Sequence, residues 1–474
     1  MRKLLIIIGI TLFATSCNEE VVDFLDVTNP NLLEEDLIGQ DNSTVLVIEG
    51  IKRQVAFLLN ETITISEIAS DNYDNTQTFF NQQLDNLSLD IRDGDFNALL
   101  VDIGRLREQA LFGLNQIGPA DANFTEEQRA ELLFYEGLSY LIAGDYFLAT
   151  PIETGGELIT SQGNYETAAE RFRESANINS TFINQLGLAK AYYRLGNKNN
   201  AIQAAQAAID IDSDGLLLIQ FDEASPFGPS NTIEDALFER GSFDDLQPLP
   251  SLDFLDPKFR FLTADEDQPV PLFKAEEAYL ILAEANLADS NLDVAKANMN
   301  DLIDLVESRT SEPFNDAIEG RAGSRPDTTD IRVRYEGQEE FRSGLILDRQ
   351  NGNITVPSIS GTSITKEDVE MLSDPLEALE MLYLMRQEIF IAEGVRIVDL
   401  GVRYLIPENE ILLNSNISEG DFGTVPMIPD FINSIRTELD TFTYDTIART
   451  VEIKHNLNRI LVDNRTSEQV LPFH

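Results

Sequence analysis

Three stretches of the chain repeat one spacing of residue types. In each, a small residue is followed three, seven and twelve positions later by an aromatic or amide residue, a turn former and a second small residue. Small side chains let two antiparallel helices approach closely, and an aromatic ring fills the groove between them. The pattern therefore predicts helical hairpins. The copies are Gly137, Tyr140, Gly144 and Ala149; Ala189, Tyr192, Gly196 and Ala201; and the weaker Ala283, Asn286, Ser290 and Ala295.

The segments around these copies also have helical periodicity. Residues 180–211 and 274–308 each have the pattern of two helices separated by a polar turn. Thr125, with Gln128 three positions later, has the pattern of a capping box before a helix. A mainly α fold is therefore expected.

The hairpins resemble tetratricopeptide motifs, but their spacing is irregular. The copies begin 52 and 94 residues apart, whereas tetratricopeptides repeat about every 34 residues. We expect a scaffold of tetratricopeptide-like hairpins near 125–150, 180–211 and 274–308, joined by long, loop-rich insertions. Ligand recognition is expected in the insertions, because binding residues concentrate on loops that a rigid scaffold positions.

The N-terminus has the layout of a secretory signal. Arg2 and Lys3 precede a mostly apolar run, which is about half as long as a transmembrane helix needs. The following segment Ala14-Thr15-Ser16-Cys17 resembles a bacterial lipobox, in which the cysteine is lipidated. Cys17 is the only cysteine, so an intrachain disulfide is impossible. The alternative is an ordinary cleaved signal with a chance cysteine.

This interpretation divides the chain into three parts. Residues 1–16 are a lipoprotein signal peptide, residues 17–40 a lipidated tether, and residues 41–474 a single domain. The acidic residues after Cys17 resemble the surface-export signal of Bacteroidetes lipoproteins. We therefore expect an outer-membrane protein, anchored by lipid, that faces the extracellular side.

Charge limits the partners of the chain. It carries 34 Lys and Arg against 82 Asp and Glu, a formal net charge of −48. Such a field repels nucleic acid and anionic membrane surfaces. Because 43% of the residues are hydrophobic, the chain can still bury a large core.

Taken in order, several segments resemble the SusD/RagB family of nutrient-uptake lipoproteins, and the resemblance covers nearly the whole mature chain. They are the lipobox, Phe24-Leu25-Asp26, the three hairpins, Ala275–Leu280 leading to Ala283-Glu284-Ala285, the segment RQEIFIAEGVRIVDL, and Ile406–Asn414.

The resemblance implies a lipoprotein that acts as a lid on a SusC-like TonB-dependent transporter. It would capture a nutrient, most often an oligosaccharide, and hand it over without catalysis or a cofactor. Three alternatives remain open: a tetratricopeptide scaffold that binds proteins, capture of a non-glycan nutrient such as a peptide, and a carboxylate-based hydrolase. The chain has only two histidines, and it has none of the HExxH, GxSxG or P-loop motifs.

The strongest part of the resemblance is the segment from Glu393 to Asp399. The family pattern has a Glu-Gly followed by an Arg and an Asp-Leu, matched here by Glu393-Gly394, Arg396 and Asp399-Leu400. Glu393 with Arg396, and Arg396 with Asp399, are i,i+3 pairs if the segment is helical. We expect a structural role through these ion pairs.

The stretch SDNYDNTQTFF, residues 70–80, is the candidate ligand site. Sugars are bound by amides and carboxylates together with an aromatic face, and the stretch supplies all three. The alternative is a capped loop whose aromatics pack into the core. The complete lack of tryptophan weakens the glycan assignment. The candidate residues are Asp71, Asn72, Tyr73, Asn75, Gln77 and Phe79.

No metal site is expected from the sequence. Asp210, Asp212 and Asp214 copy the start of an EF-hand loop, but Leu218 and Phe221 occupy its ninth and twelfth positions. An acidic turn after a helix is the preferred interpretation.

Overall fold

The structure of the protein is a computed structural model. It describes residues 37–75, 81–222, 224, 228–238, 246–256, 258, 267–315 and 325–474. The predicted signal peptide, Cys17 and most of the predicted tether lie outside these ranges. Within them, no helix has both the length and the apolar character needed to cross a membrane.

The fold is mainly α, as predicted. Nine helices of 13 or more residues occur in the described part of the chain, and shorter helical turns connect them. The long helices are α1 (Ser43–Ile68), α2 (Gly94–Phe112), α3 (Glu126–Tyr146), α4 (Ser161–Ile178), α5 (Phe182–Arg194), α6 (Lys198–Ile211), α7 (Glu276–Ala288), α8 (Leu292–Ser308) and α9 (Pro375–Ile389). The short helices used below are Gln82–Asp85, Arg396–Asp399, Glu408–Leu413 and Leu457–Asp463.

Two of the predicted hairpins form as expected, from α5 with α6 and from α7 with α8. Gly196 and Ser290 both adopt a left-handed conformation, with φ of +65° and +58°. In each turn, the following Asn donates its N–H to the carbonyl of the aromatic or amide position of the pattern, at 2.9 Å for Tyr192 and 2.8 Å for Asn286. This turn geometry ends a helix and reverses the chain. The turn former of the pattern was therefore assigned correctly in these copies.

The first copy differs, and the turn predicted at Gly144 is wrong. Helix α3 continues to Tyr146, and its antiparallel partner α4 begins only at Ser161. A Cβ on Gly144 would lie 2.7 Å from the Tyr165 ring. The glycine is therefore explained by the close approach of α3 and α4, and a strand hairpin is inserted between the two helices.

The strands are short and form small, separate sheets. Four antiparallel pairs and one three-stranded sheet occur in the described residues. The antiparallel pairs are β1 (Tyr73–Asn75) with β5 (Leu246–Pro248), β2 (Ala149–Pro151) with β3 (Leu158–Thr160), β4 (Leu216–Ile219) with β6 (Val270–Lys274), and β7 (Ser311–Asn315) with β9 (Asn353–Pro357). The sheet joins β10 (Phe442–Asp445), β11 (Thr450–Ile453) and β8 (Arg332–Tyr335), with the last two strands parallel.

Helix α1 lies at the centre of the core. Ile51, Val55, Leu58 and Ile65 are fully buried along it, and the helix packs against α2 and α3. Its C-terminal end leads into β1. The residues of the candidate ligand stretch therefore leave the core at the end of a buried helix.

The predicted start of α3 also forms. Thr125 and Gln128 make both hydrogen bonds of a capping box at the start of α3. The acidic run that copies an EF-hand start lies at the end of α6. The helix ends with Asp212 as its C-terminal cap, and strand β4, which contains Leu218, begins at Leu216.

Candidate functional site

The two segments singled out in the sequence meet inside the protein. Arg396 donates through Nε and Nη2 to the two carboxylate oxygens of Asp71, at 2.6 and 2.9 Å. Gln387 on α9 donates to Asp71 at 2.9 Å and to the Asn72 side chain at 3.1 Å. Asn72 in turn donates to Glu67 at 2.8 Å. All five residues are buried.

Gly394 connects this network to α1 and α3 through its backbone. Its N–H donates to Glu67 at 2.8 Å, and its carbonyl accepts from the Tyr146 hydroxyl at 2.9 Å. Its φ is +75°, and a Cβ would lie 3.3 Å from the α1 backbone at Ile63 and Thr62. Both the conformation and the space therefore require glycine. Burial raises the pKa of Glu67 to about 7 despite these hydrogen bonds.

Glu393 pairs with two buried lysines. Lys258 donates to it at 2.5 Å, and Lys274 also donates to it. Both lysines donate as well to the carbonyl of Ile389, the last residue of α9. Burial lowers the pKa of Lys258 to about 7, although the Glu393 carboxylate opposes this shift.

Asp399 belongs to a second cluster of buried charges. Arg386 on α9 donates to it at 2.7 Å and also donates to Glu277 on α7 at 2.9 Å. Arg194 on α5 lies 3.6 Å from the other Asp399 oxygen. Burial alone would raise the pKa of Glu277, but the Arg386 and Lys190 cations lower it to about 2.

The ion pairs predicted between residues of the 393–399 segment are wrong, because each charged residue pairs with a residue outside the segment. Glu393 binds lysines, Arg396 binds Asp71, and Asp399 binds Arg386. The left-handed Gly394 separates Glu393 from the short helix Arg396–Asp399, so Glu393 and Arg396 do not have helical spacing. Arg396 and Asp399 do share that helix, but they bind Asp71 and Arg386 instead of each other. Each charged side chain therefore stabilises a contact with a different part of the chain.

The candidate ligand residues are largely interior. Asp71, Asn72 and Tyr73 are each at most 3% exposed, and Asn75 is also buried. Gln77 and Phe79 lie outside the described residues. The burial supports the alternative interpretation of this stretch, in which it packs against the core. A ligand-binding role for the stretch stays a prediction.

An acidic cluster lies beside this stretch. Carboxylate oxygens of Asp74, Asp85 and Asp440 lie within 4.8 Å of one another, and Arg325 donates to Asp74 at 3.0 Å. Burial and the charges of Asp74 and Asp85 raise the pKa of Asp440 to about 8. Burial likewise raises the pKa of Asp85 to about 6. A shared proton or a bound cation would relieve this repulsion.

A cavity of about 620 Å³ opens beside the Asp399 cluster. We call it the C-terminal cavity, because residues 467–472 and 474 form one of its walls. The hairpin turn at Gly196 and the start of α4 form others. Its volume lies in the range typical of small-molecule sites. Among the aromatic and charged residues that line it are Tyr165, Tyr193, Arg194, Tyr383, Asp399 and Arg403.

Hydrogen bonds hold the tyrosines of the C-terminal cavity in place. The hydroxyls of Tyr193 and Tyr383 donate to Glu284 at 2.7 and 3.1 Å, behind the cavity wall. Tyr165 donates to the Gly144 carbonyl at 2.8 Å. Burial raises the pKa of Glu284 to about 7, although the tyrosine hydroxyls oppose the shift.

The cavity also presents groups suited to hydrogen bonding a polar ligand. Its mouth carries the exposed side chains Gln162 and Glu468, and Ser161 and Ser467 add hydroxyls. Asp399, its buried carboxylate, lies between two arginines. This arrangement suits binding of hydroxyl and amide groups against tyrosine rings.

No sequence pattern predicted this cavity. Its walls come from α4, α5, α9, the segment after Asp399 and the last residues of the chain, which are distant in sequence. Asp399 was singled out for its motif, and Gly196 for its turn. Tail residues such as Gln469 have no pattern that marks them.

Comparison with known proteins identifies the fold. No family model and no curated protein matches the sequence. Among solved structures, a SusD superfamily protein from Bacteroides fragilis matches with a TM-score of 0.53 and 13% identity, over 81% of this chain and 100% of its own. A SusD superfamily protein from Parabacteroides distasonis matches with a TM-score of 0.52 and 12% identity, over 79% and 98%.

The chain has the SusD fold. A third SusD-fold structure, a SusD-like carbohydrate binding protein from Bacteroides vulgatus, matches with a TM-score of 0.51 and 13% identity, over 76% of this chain and 83% of its own. The resemblance drawn from the sequence is therefore confirmed at the level of the fold. The helical hairpins and the insertions described above are therefore parts of a SusD fold.

Proposed function

We propose that this protein captures an oligosaccharide at the cell surface and passes it to a transporter without chemical change. The observation that carries the proposal is the fold, which is shared with a protein described as carbohydrate binding. The proposal accounts for the lack of sequence motifs for nucleophilic or metal-dependent catalysis.

The C-terminal cavity is our proposed oligosaccharide site. Its tyrosine rings offer faces for sugar rings, and its amide, hydroxyl and carboxylate groups offer partners for sugar hydroxyls. Asp399 is ion-paired with Arg194 and Arg386, and its carboxylate oxygens are hydrogen-bond acceptors in the cavity wall.

Anchoring by lipid at Cys17 would hold the protein at the outer membrane. Two or three acyl chains make a stable anchor, because each buried methylene contributes about 0.8 kcal/mol. The acidic residues after Cys17 favour the extracellular side. The strong negative charge of the chain is compatible with this location, since a lipid anchor does not need electrostatic attraction to the membrane.

The proposed partner is a SusC-like TonB-dependent transporter, on which the protein acts as a lid. A binding protein without catalytic activity needs a route for its ligand across the membrane. The TonB-dependent barrel supplies that route in the family that the sequence resembles.

A non-glycan nutrient such as a peptide is the second candidate. Two observations favour it: the chain has no tryptophan, and the C-terminal cavity carries both arginines and a carboxylate. Charged groups of both signs suit a peptide backbone with free termini.

Binding measurements separate these functions. The full chain, purified in detergent, is titrated with a panel of oligosaccharides and with a panel of short peptides, and the solutions are then analysed by mass spectrometry. We expect saturable binding of at least one oligosaccharide, recovered unchanged. Release of shortened products would contradict the absence of catalysis. Binding of peptides alone would replace the oligosaccharide with the second candidate.

A further inference from the structure

A groove separate from the C-terminal cavity runs along α2. It has a volume of about 360 Å³ and lies between α2 and residues 150–154, which include the end of β2 and the turn after it. We call it the α2 groove. Leu100, Val101, Leu111 and Ile152 form apolar parts of its wall. Val101 and Ile152 are 41% and 46% exposed, so the apolar surface is accessible from solvent.

Arg107 is a buried cation in the wall of this groove. It is only 5% exposed, and its Nη1 donates to the carbonyls of Pro151 and Ile152, both at 3.0 Å. Its Nε lies 3.5 Å from the Ser139 hydroxyl, and its guanidinium lies 4.1 Å from the centre of the Tyr140 ring. Its Nη2 is buried and has no hydrogen-bond partner. Among the described residues, no carboxylate forms an ion pair with Arg107.

A buried cation without an anion is unfavourable, because neutral carbonyl and hydroxyl groups replace only part of the solvation lost on burial. Burial accordingly lowers the pKa of Arg107, while the charges of Glu136 and Glu108 partly oppose the shift. Glu136 is itself paired with Arg171. Arg107 lines the groove, so a carboxylate that enters the groove would supply the anion that Arg107 lacks.

The rim of the groove has the opposite charge. Glu108, Glu153 and Glu410 line it, together with Arg105, which is paired with Asp102. Glu108 accepts from the Thr154 hydroxyl and Glu410 from the Asn414 amide, and both donors are neutral. The rim and the net charge of −48 repel a simple anion. A ligand that also carries a cation avoids this repulsion.

Gly104 leaves space for a ligand on the α2 side. It lies in the middle of the helix, and a Cβ placed on it would have no atom within 4 Å. Glycine is less favourable than alanine inside a helix, and here neither a left-handed conformation nor a close packing contact requires it. The missing side chain instead opens the groove against the helix backbone.

We propose that the α2 groove binds a zwitterionic α-amino acid with an apolar side chain. The carboxylate binds the Arg107 guanidinium, the ammonium group faces the rim carboxylates, and the side chain packs against Leu100, Leu111 and Ile152. The net charge of such a ligand is zero, so the acidic surface does not exclude it. This site is independent of the oligosaccharide site proposed above.

Titration calorimetry of the full chain in detergent tests the proposal with four probes. L-phenylalanine and L-leucine carry all three required features. 3-Phenylpropionate lacks the ammonium group, and 2-phenylethylamine lacks the carboxylate. We expect saturable binding of at least one amino acid, and binding at least tenfold weaker for both analogues. Failure of both amino acids to bind, or equal binding of either analogue, would overturn the proposal.

Variants locate the binding in the groove. Gly104→Phe fills the groove without a steric conflict at its Cβ, and Gly50→Phe is the matched control on the exposed face of α1, where a Cβ also has no atom within 4 Å. We expect Gly104→Phe to weaken amino-acid binding at least tenfold while the melting temperature is maintained. Gly50→Phe should leave amino-acid binding unchanged. Arg107→Gln should weaken amino-acid binding to a similar extent as Gly104→Phe. Full binding by the Gly104→Phe variant would overturn the assignment to this groove, whatever the result with oligosaccharides.

Discussion

Arg396 and Asp71 form a two-point ion pair in the protein interior, although 325 positions separate them in the chain. The pair ties the segment after α9 to the end of the central helix α1. Asn458, from the short helix Leu457–Asp463, accepts from Arg396 at 2.9 Å and so joins a third segment to the same point. The motif at 393–399 thus connects parts of the fold that no local interaction could join.

Replacing Asp71 with Ala should lower the free energy of unfolding by about 3–5 kcal/mol, because it leaves the Arg396 guanidinium buried without its anion. Urea denaturation measures the change. The matched control is Asp301→Ala on the exposed face of α8, which should alter the free energy of unfolding by no more than about 0.5 kcal/mol. If the two variants unfold alike, the ion pair does not stabilise the fold.

Gly394→Ala should destabilise the protein more than Gly337→Ala. Both glycines have positive φ, +75° and +83°, so both substitutions incur the cost of a left-handed alanine, about 1–2 kcal/mol. Only Gly394 also has backbone atoms of α1 close to the new Cβ, whereas Gly337 has no atom within 4 Å. The difference between the two in urea denaturation reports the packing of Gly394 on α1. Equal losses would mean that the contact is unimportant.

Glu284 should make the stability depend on pH. Burial raises its pKa from the ordinary value of 4.5 to about 7, so between these values the folded protein holds a proton that the unfolded chain has lost. The free energy of unfolding therefore falls as pH rises through this window, by up to about 3 kcal/mol from this group.

Glu284→Gln removes that titration and keeps an acceptor for the Tyr193 and Tyr383 hydroxyls. Relative to the parent protein, the variant should be more stable at pH 8 than at pH 4.5, as measured by urea denaturation at both values. The exposed Glu127→Gln on α3 is the control and should follow the parent protein. Parallel pH profiles for parent and Glu284→Gln would show that Glu284 is not protonated in the folded state.

Gln162→Ala should weaken oligosaccharide binding about two- to tenfold, the loss typical of one hydrogen bond at the mouth of a site. Gln162 lines the C-terminal cavity, whereas Gln203 on α6, which is also exposed, does not. Calorimetry with the oligosaccharide that binds best compares the two alanine variants. Equal affinities for both variants would move the oligosaccharide site away from the C-terminal cavity.

Local patterns predicted helix α3, the hairpins α5–α6 and α7–α8, and the turns at Gly196 and Ser290. The same residue type nevertheless serves two purposes: Gly196 reverses the chain, while Gly144 allows Tyr165 to approach α3. Both glycines occupy the turn position of the repeat, and only the path of the chain after each one distinguishes them. Sequence spacing could not predict the insertion of β2 and β3 that separates α3 from α4.

Several residues of the interior network were singled out in the sequence, but the residues with which they pair could not be predicted. The segment from Glu393 to Asp399 and the stretch around Asp71 were both singled out, yet nothing in either predicts that Arg396 binds Asp71. Such a pair depends on how α9 and α1 pack, which is a property of the whole fold. The C-terminal cavity was missed for the same reason, since its walls join only when distant segments pack together.

The most direct test of the proposed function is affinity purification of the full-length protein, with Cys17 intact, from gently solubilised native outer membranes. A Cys17→Ala variant, which should no longer incorporate labelled fatty acid, serves as the control for membrane anchoring. Mass spectrometry of the purified material should find a TonB-dependent barrel in near-equal amount to the intact protein. Recovery of the intact protein without a barrel, or with a different soluble partner, would contradict the transporter-lid account and favour a protein-binding scaffold.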